Sequence, residues 1–362
     1  MTAKLAETEI TPGRAAAYPP YPASEVDRFL AWVDRLHLPS SLFYLLFLAA
    51  LIILFNGLAW IDGSRPFPAF DLYRSSVAVY PVASLALIQY LNRVANRALA
   101  AFRPALGVED PEYRRLAYML VTLPQRGTRI TLALSLIFTA TYITFTPYLA
   151  TLFGQSPWIA AVESVVYVFC FGMIAVFIYH TIRQLRMVSL IHASATNVNL
   201  FRRTPLYAFS NLTAQTGISL LLMNYFGILT DPATFENVAL IALTIGASFV
   251  AILCFVLPLR GMHDRIAAEK NRLHAECSTR LERAIGDLYA RADSEDLAEV
   301  EGLNQLMGSL VTTCEIIDKI PAWPWERETV VTFVSVFLLP FIVRLIAEIV
   351  DQLGLLNQLL PI

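Results

Sequence analysis

Lysine is almost absent from this chain. Of its 27 basic Lys and Arg residues only Lys4, Lys270 and Lys319 are lysine, and none lies in an apolar stretch, which excludes an intramembrane retinal Schiff base. Histidine is nearly as scarce at five, and no two sit together inside apolar segments as a membrane haem would require. The patterns HExxH, GxSxG and GxxxxGK[ST] are missing, so peptide, ester and nucleotide hydrolysis lose their usual signatures; the expectation is a chain that is not an enzyme and uses no cofactor. No long basic run marks nucleic acid as a partner. The four cysteines make no CxxC pair. Cys170 and Cys254 lie in apolar segments and Cys277 and Cys314 in the longest polar region, and all four are expected as reduced thiols without a metal.

What the chain has in excess is apolar surface: 56% hydrophobic and 15% charged residues over 362 positions, with mean hydropathy +0.56. One soluble core does not need that much, so most of it is expected to face lipid or other helices. Seven stretches near the length of a bilayer crossing follow one another: Leu42 to Trp60, Ser75 to Leu91, Ile130 to Phe153, Trp158 to His180, Leu206 to Leu229, Asn237 to Leu259 and Glu328 to Val350. The second is the weakest, being short and carrying Pro81 and Gln89. Arginines crowd the connection from Asn92 to Arg129 and the one after His180, whereas the turns Gly154 to Pro157 and Thr230 to Glu236 and the tail from Asp351 have none, and the Ile61 to Arg74 loop has two. That bias puts the arginine-rich loops and the amino end in the cytoplasm and the carboxyl end outside.

The fold expected is all-α, a seven-transmembrane bundle divided into 1–23, a disordered cytoplasmic tail without the layout of a cleaved signal peptide; 24–38, an amphipathic helix at the membrane surface capped by Ser24; 39–260, spans one to six; 261–325, a cytoplasmic helical hairpin; and 326–362, the seventh span and outward tail. Asp110-Pro111, Thr204-Pro205 and Asp231-Pro232 read as helix starts. The hairpin follows from apolar residues spaced three, four or seven apart from Leu259 to Leu288, which carry the sixth span on as one helix, and from a second stripe between Leu297 and Ile317. Such stripes need cover. The hairpin is expected to pack on the helix continuing past His180, on the Asp110 to Leu123 helix, or on copies of itself, which makes a homo-oligomer the expected assembly beside the lipid bilayer.

Within the membrane, Glu163 and Arg344 lie at similar depth with opposite sign and are expected to pair, Glu348 one turn on being the other partner for Arg344 and snorkelling to water the third outcome. On the last span Thr329, Thr332 and Ser335 form a hydroxyl stripe toward the inside and Arg344, Glu348 and Asp351 a charged face toward the outside, with Pro340 between. They read either as a pore lining, gated by Phe333, Val336 and Phe337 and made cation-selective by Glu348 and Asp351, or as hydroxyls bonded back to their own helix. Ala242 and Gly246 give a small-residue contact, and Gln215, Thr216 and Asn224 add packing groups.

Two stretches, Asn199-Leu200-Phe201 with Pro205-Leu206-Tyr207-Ala208-Phe209-Ser210, and Ile320-Pro321-Ala322-Trp323-Pro324-Trp325, resemble segments of uncharacterised bacterial multi-pass membrane proteins, which implies a bacterial inner-membrane location. The layout also resembles the seven-transmembrane ion channel superfamily of insect odorant and gustatory receptors, in topology rather than in residues. That resemblance implies a tetramer anchored by the cytoplasmic helices and a pore lined by Thr329 to Val350, with the Leu297 to Ile320 helix in the anchor. The superfamily's short signature near the end of its last span is not found here, where Arg344 and Glu348 stand. An oligomeric channel-like or receptor-channel-like protein with an unidentified ligand leads; a membrane sensor or scaffold whose hairpin recruits a partner, and a transporter, are the alternatives.

Overall fold

The computed structural model describes residues 19–61, 63, 65–145, 156–196, 199–230, 238–293 and 300–352. They form α1 (Glu25–Arg35), α2 (Ser40–Ile61), α3 (Leu72–Val77), α4 (Val79–Leu106), α5 (Asp110–Val121), α6 (Gln125–Phe145), α7 (Pro157–Ala193), α8 (Arg203–Thr230), α9 (Val238–Asp293), α10 (Val300–Asp318) and α11 (Arg327–Gln352). Five stretches are long and apolar enough to cross a bilayer: Ser40–Ile61, Arg74–Leu106, Pro157–Ala193, Thr204–Thr230 and Thr244–Arg291. The protein is therefore all-α and has the build of a multi-pass membrane protein in contact with lipid.

Helices α4, α7 and α8 form the inner layer. Ile88, Leu91, Leu99 and Phe102 of α4 are buried against Phe177 and Val188 of α7 and Phe209 and Leu212 of α8. Helices α2, α6 and α11 flank that layer and turn large apolar side chains outward, Ile53 and Ile137 at 64% exposure and Phe341 likewise. Such exposure is costly in water and costless in hydrocarbon.

Several helices outrun the apolar stretches that announce them. α4 continues through the arginine-rich connection and stops at Gly107, whose φ of 62° is a left-handed cap. A Cβ there would collide with Thr196, whose hydroxyl donates to the Leu106 carbonyl at 3.1 Å, so glycine is required on both counts. α5 begins at Asp110, one residue ahead of the expected first helical position at Pro111, and α8 at Arg203, two ahead of Pro205; Asp231-Pro232 lies outside the described residues.

α1 begins as its sequence dictates. Ser24 accepts from the Asp27 backbone and the Asp27 carboxylate accepts back from Ser24, a reciprocal capping box. The same carboxylate accepts from the Leu123 backbone at 2.8 Å, Glu25 takes Arg129 and Gln125, and Val26, Leu30 and Val33 are buried. α1 is thus latched to the loop between α5 and α6, with Trp32 half-exposed beside Phe29 and Phe43. The latch extends upstream into the stretch expected as tail: Tyr21 donates to Thr122 at 2.8 Å, Tyr118 donates to the Tyr21 carbonyl, and Arg183 binds the Tyr21 hydroxyl. Burial pushes the Tyr21 hydroxyl up to about 12 and raises the Asp27 carboxyl, while bonds from Gln125, its own backbone and Arg129 bring Glu25 down to about 2.

α9 is a single helix of 56 residues, about 84 Å at 1.5 Å per residue. Its lower half pairs with α10, and one expectation fails there. Cys277 and Cys314 are joined in a disulfide, so two of the four cysteines are not free thiols and only Cys170 and Cys254 remain so. The pairing was hidden because the partners lie 37 residues apart and meet only when the hairpin closes. α10 packs on α9 and leaves Leu306 and Ile316 half-exposed; α5, an expected cover, packs instead on α4 and α7.

Candidate functional site

The last helix sits on a three-helix node. Gly217 of α8 has no side chain, and a Cβ there would press 2.6 Å from the Phe333 ring and 2.9 Å from the Ala251 carbonyl of α9. Only glycine lets α8, α9 and α11 come this close. Among the described residues nothing stands within 4 Å of the Cβ position of Gly246, where a small-residue contact was expected. Asn224 does the bridging between α8 and α9 instead, donating to Thr244 and Ser248 at 3.2 and 3.3 Å.

From the node an aromatic ladder descends toward the hairpin. Phe333 stacks on Phe255 at 4.6 Å, Phe255 on Trp325 at 5.3 Å, Trp325 on Trp323 at 4.5 Å, and Trp323 on His263 at 4.2 Å. His263 also meets the Ala322 carbonyl at 3.2 Å, and Lys270 caps the end of α10 by donating to the Asp318 and Ile320 carbonyls. The Trp323-Pro324-Trp325 break is therefore a splint that ties α11 to α9. The tryptophans stood out in the sequence; their stacking partners His263 and Phe255 had no local signal, lying 60 and 70 residues away.

The candidate pore residues divide between two faces. Phe333 is buried, and Val336, Phe337 and Pro340 are partly buried toward α8 and α9. Thr332 and Ser335 point outward and Thr329 is half-buried; Thr332 donates to its own helix at the Glu328 carbonyl, 2.9 Å away. The proposed gate residues and the hydroxyl stripe thus do not share one surface. The side chains of Arg344, Glu348 and Asp351 lie outside the described ones.

Pro340 has no N–H, so the Val336 carbonyl loses its helical partner. Next to it the Tyr225 hydroxyl donates to the Phe337 carbonyl at 3.0 Å, a cross-helix bond at the weakest turn of α11. Above that bond α9 and α11 separate. Between them, with Tyr225 and Ile228 of α8 at the back, lies a cleft of about 400 Å³ lined by Ile241, Thr244, Ile245, Ser248, Phe249 and Ile252 of α9 and by Phe337, Pro340 and Phe341 of α11.

A polar site lies among α2, α3 and the start of α7. Glu163, 2% exposed, faces the Arg74 guanidinium at 3.4 Å, and Arg74 reaches Asp71 at 4.0 Å. Asp71 caps α3, accepting from the Arg74 backbone, and its own N–H donates to Asn56 at 2.8 Å; Asn56 in turn binds Ser75 and the Ile52 carbonyl. Arg65 adds a solvent-side contact to Asp71 at 3.5 Å. The partner expected for Glu163 was Arg344. The described partner is Arg74, a residue that loop-charge reasoning placed outside the span; the fully buried Asn56, on α2, brings it in. Among the described residues no three His, Cys, Asp or Glu side chains gather as metal ligands.

Comparison with protein-family models, with curated proteins and with solved structures yields no match.

Proposed function

We propose that this protein is an oligomeric, channel-like membrane protein of seven spans, without enzymatic activity, in which α11 moves against a fixed bundle. α6 and α11 supply the two further spans: both are at least 21 residues long and expose apolar side chains such as Leu134, Ile137, Leu345 and Ile346. The arginine bias puts the hairpin in the cytoplasm and the end of α11 outside.

The observation that carries the reading is the mounting of α11. It is clamped at its inner end by the aromatic ladder, bonded once at Pro340 by Tyr225, and separated from α9 beyond that point by the cleft. Its other face, with Thr332 and Ser335 among exposed apolar residues, has no cover among the described residues. Copies arranged about an axis would bring those faces together, with hydroxyls lining the inner part of a path and Glu348 and Asp351 at its outer mouth favouring cations. Phe333, Val336 and Phe337 then set the position of α11 from behind and do not themselves block the path.

Reconstitution tests this. Purified protein in lipid nanodiscs should show rotational symmetry, four-fold if the topological likeness extends to assembly, and in liposomes it should pass cations with selectivity reduced by Glu348→Gln with Asp351→Asn. Monomeric particles in mild detergent and liposomes that stay tight would refute it. The half-exposed Leu306 and Ile316 of α10 favour a second reading, a sensor whose hairpin recruits a cytoplasmic partner. In that case Leu306→Glu with Ile316→Glu releases the partner and leaves assembly intact.

A further inference from the structure

The cleft beside Pro340 has a composition that decides what fills it. Its walls are apolar almost throughout, and two of the three hydroxyl side chains on them are engaged: Ser248 donates to the Thr244 carbonyl at 2.9 Å and receives Asn224, while Tyr225 donates to Phe337. A buried water needs two to four polar partners, which this wall does not offer. An empty space of this size forfeits the dispersion contacts of every atom around it. A charged or strongly polar ligand would be left unpaired.

The rim decides where the occupant comes from. Ile245, Phe249 and Phe341 border the cleft and are 65%, 59% and 64% exposed, so the opening is continuous with the apolar outer surface of α9 and α11. On the reading that these helices cross a bilayer, that surface is bathed in hydrocarbon. We infer that the cleft is a lipid site: one hydrocarbon chain of a bilayer lipid lodges between α9 and α11 and packs against Pro340 and Phe337. The chain supplies the contacts that α9 and α11 do not make with each other past the node, and so sets the stance of the outer half of α11. The proposal rests on the membrane reading but on neither the pore nor the assembly.

Photolabelling decides it. The full-length protein is reconstituted into phosphatidylcholine vesicles carrying a small fraction of phosphatidylcholine with a diazirine near the end of one acyl chain, irradiated, and mapped by peptide mass spectrometry. Peptides holding Ile245, Phe249 and Phe341 should carry roughly fivefold more label than the equally exposed α6 face at Ile137, the ratio that a preference of about 1 kcal/mol gives. Ile245→Trp, which fills the cleft, should bring them to the α6 level, whereas Val250→Trp, on the same helix but off the cleft, should leave the excess in place. Label at the cleft no greater than on α6 would overturn the proposal, whether because the space stays empty or because a second copy covers it. Absence of label on α6 as well would strike the membrane reading itself, so the two failures are distinguishable.

Discussion

The two ends of this chain are held by different chemistry. From α1 to α7 the ties are polar and directional: Asp27 to the Leu123 backbone, Tyr21 to Thr122, Arg183 to the Met119 carbonyl at 2.6 Å, His180 to Asn92 at 2.9 Å, and the buried Asn56, Asp71, Arg74 and Glu163 set. From the node onward α11 is held by ring stacking and by one described cross-helix hydrogen bond, Tyr225 to Phe337. A set of directional bonds fixes one geometry, while α11 beyond its stacked inner end has one such bond among the described residues. On the proposed reading the first half is the frame and the last helix the movable part.

The heaviest blow to that contrast falls on the frame. Glu163→Ala takes the nearest described carboxylate away from the buried Arg74 guanidinium and should destabilise the bundle by about 3–5 kcal/mol. Unfolding in detergent measures it, and Arg74→Met added to the variant should recover part of the loss. No change from the single variant would remove the charge set from the frame.

Next comes the hairpin. Reducing the Cys277 to Cys314 bond, or changing both to serine, releases a 37-residue closure. That should cost the hairpin about 3–4 kcal/mol, read as faster hydrogen exchange in α10. The same bond bears on sidedness, because a cytosolic hairpin is kept reduced in a growing cell and an exported one is not. On the cytoplasmic assignment of the hairpin the bond is held open in the growing cell and closes once the protein meets an oxidant, so alkylation of intact cells followed by a gel-shift assay should find the two thiols reduced there and paired after purification in air; quantitative oxidation inside the cell would reverse the assigned orientation.

A smaller effect separates the two carboxylates of α1. Glu25, brought down to about 2, contributes stability that is complete above its ordinary value near 4.5 and is lost as pH falls toward 2. Asp27, raised by burial, works the other way, its charged form costing stability as pH climbs through its folded value. Acidification below 4.5 should therefore loosen α1 through Glu25 alone. In Glu25→Gln exchange protection at Val26 to Val33 should no longer fall in that range, leaving only the opposite contribution of Asp27.

The mildest change sharpens the other side of the comparison. Tyr225→Phe removes only the bond at the Pro340 turn and should cost about 1 kcal/mol in stability. Its larger signature is looser motion of α11 beyond Pro340, read by spin labels placed there. A variant that unfolds the bundle would mean α11 belongs to the frame.

These two kinds of holding also explain what was legible in the sequence. Local rules were enough for α1, whose cap and apolar positions lie within a dozen residues, and for the unbroken run of α9, where periodicity persists past the membrane segment. Pairings made across the fold carry no local mark. Arg74 was grouped with a loop because nothing near it announces the turn capped by Asp71 that carries it inward. The ladder from His263 to Phe333 joins residues 70 apart, and the pore set split in two because a stripe on a helical wheel does not say which side the rest of the protein occupies.

The account turns on α11 crossing the bilayer. The most direct measurement places one small epitope between α9 and α10, at 294–299, and another after Ile362, and asks which can be reached by an impermeant probe in intact cells. Exposure of the terminal epitope with protection of the hairpin epitope is the predicted result. Both on one side would mean that the last helix does not span, and the mobile-helix reading would fall with it.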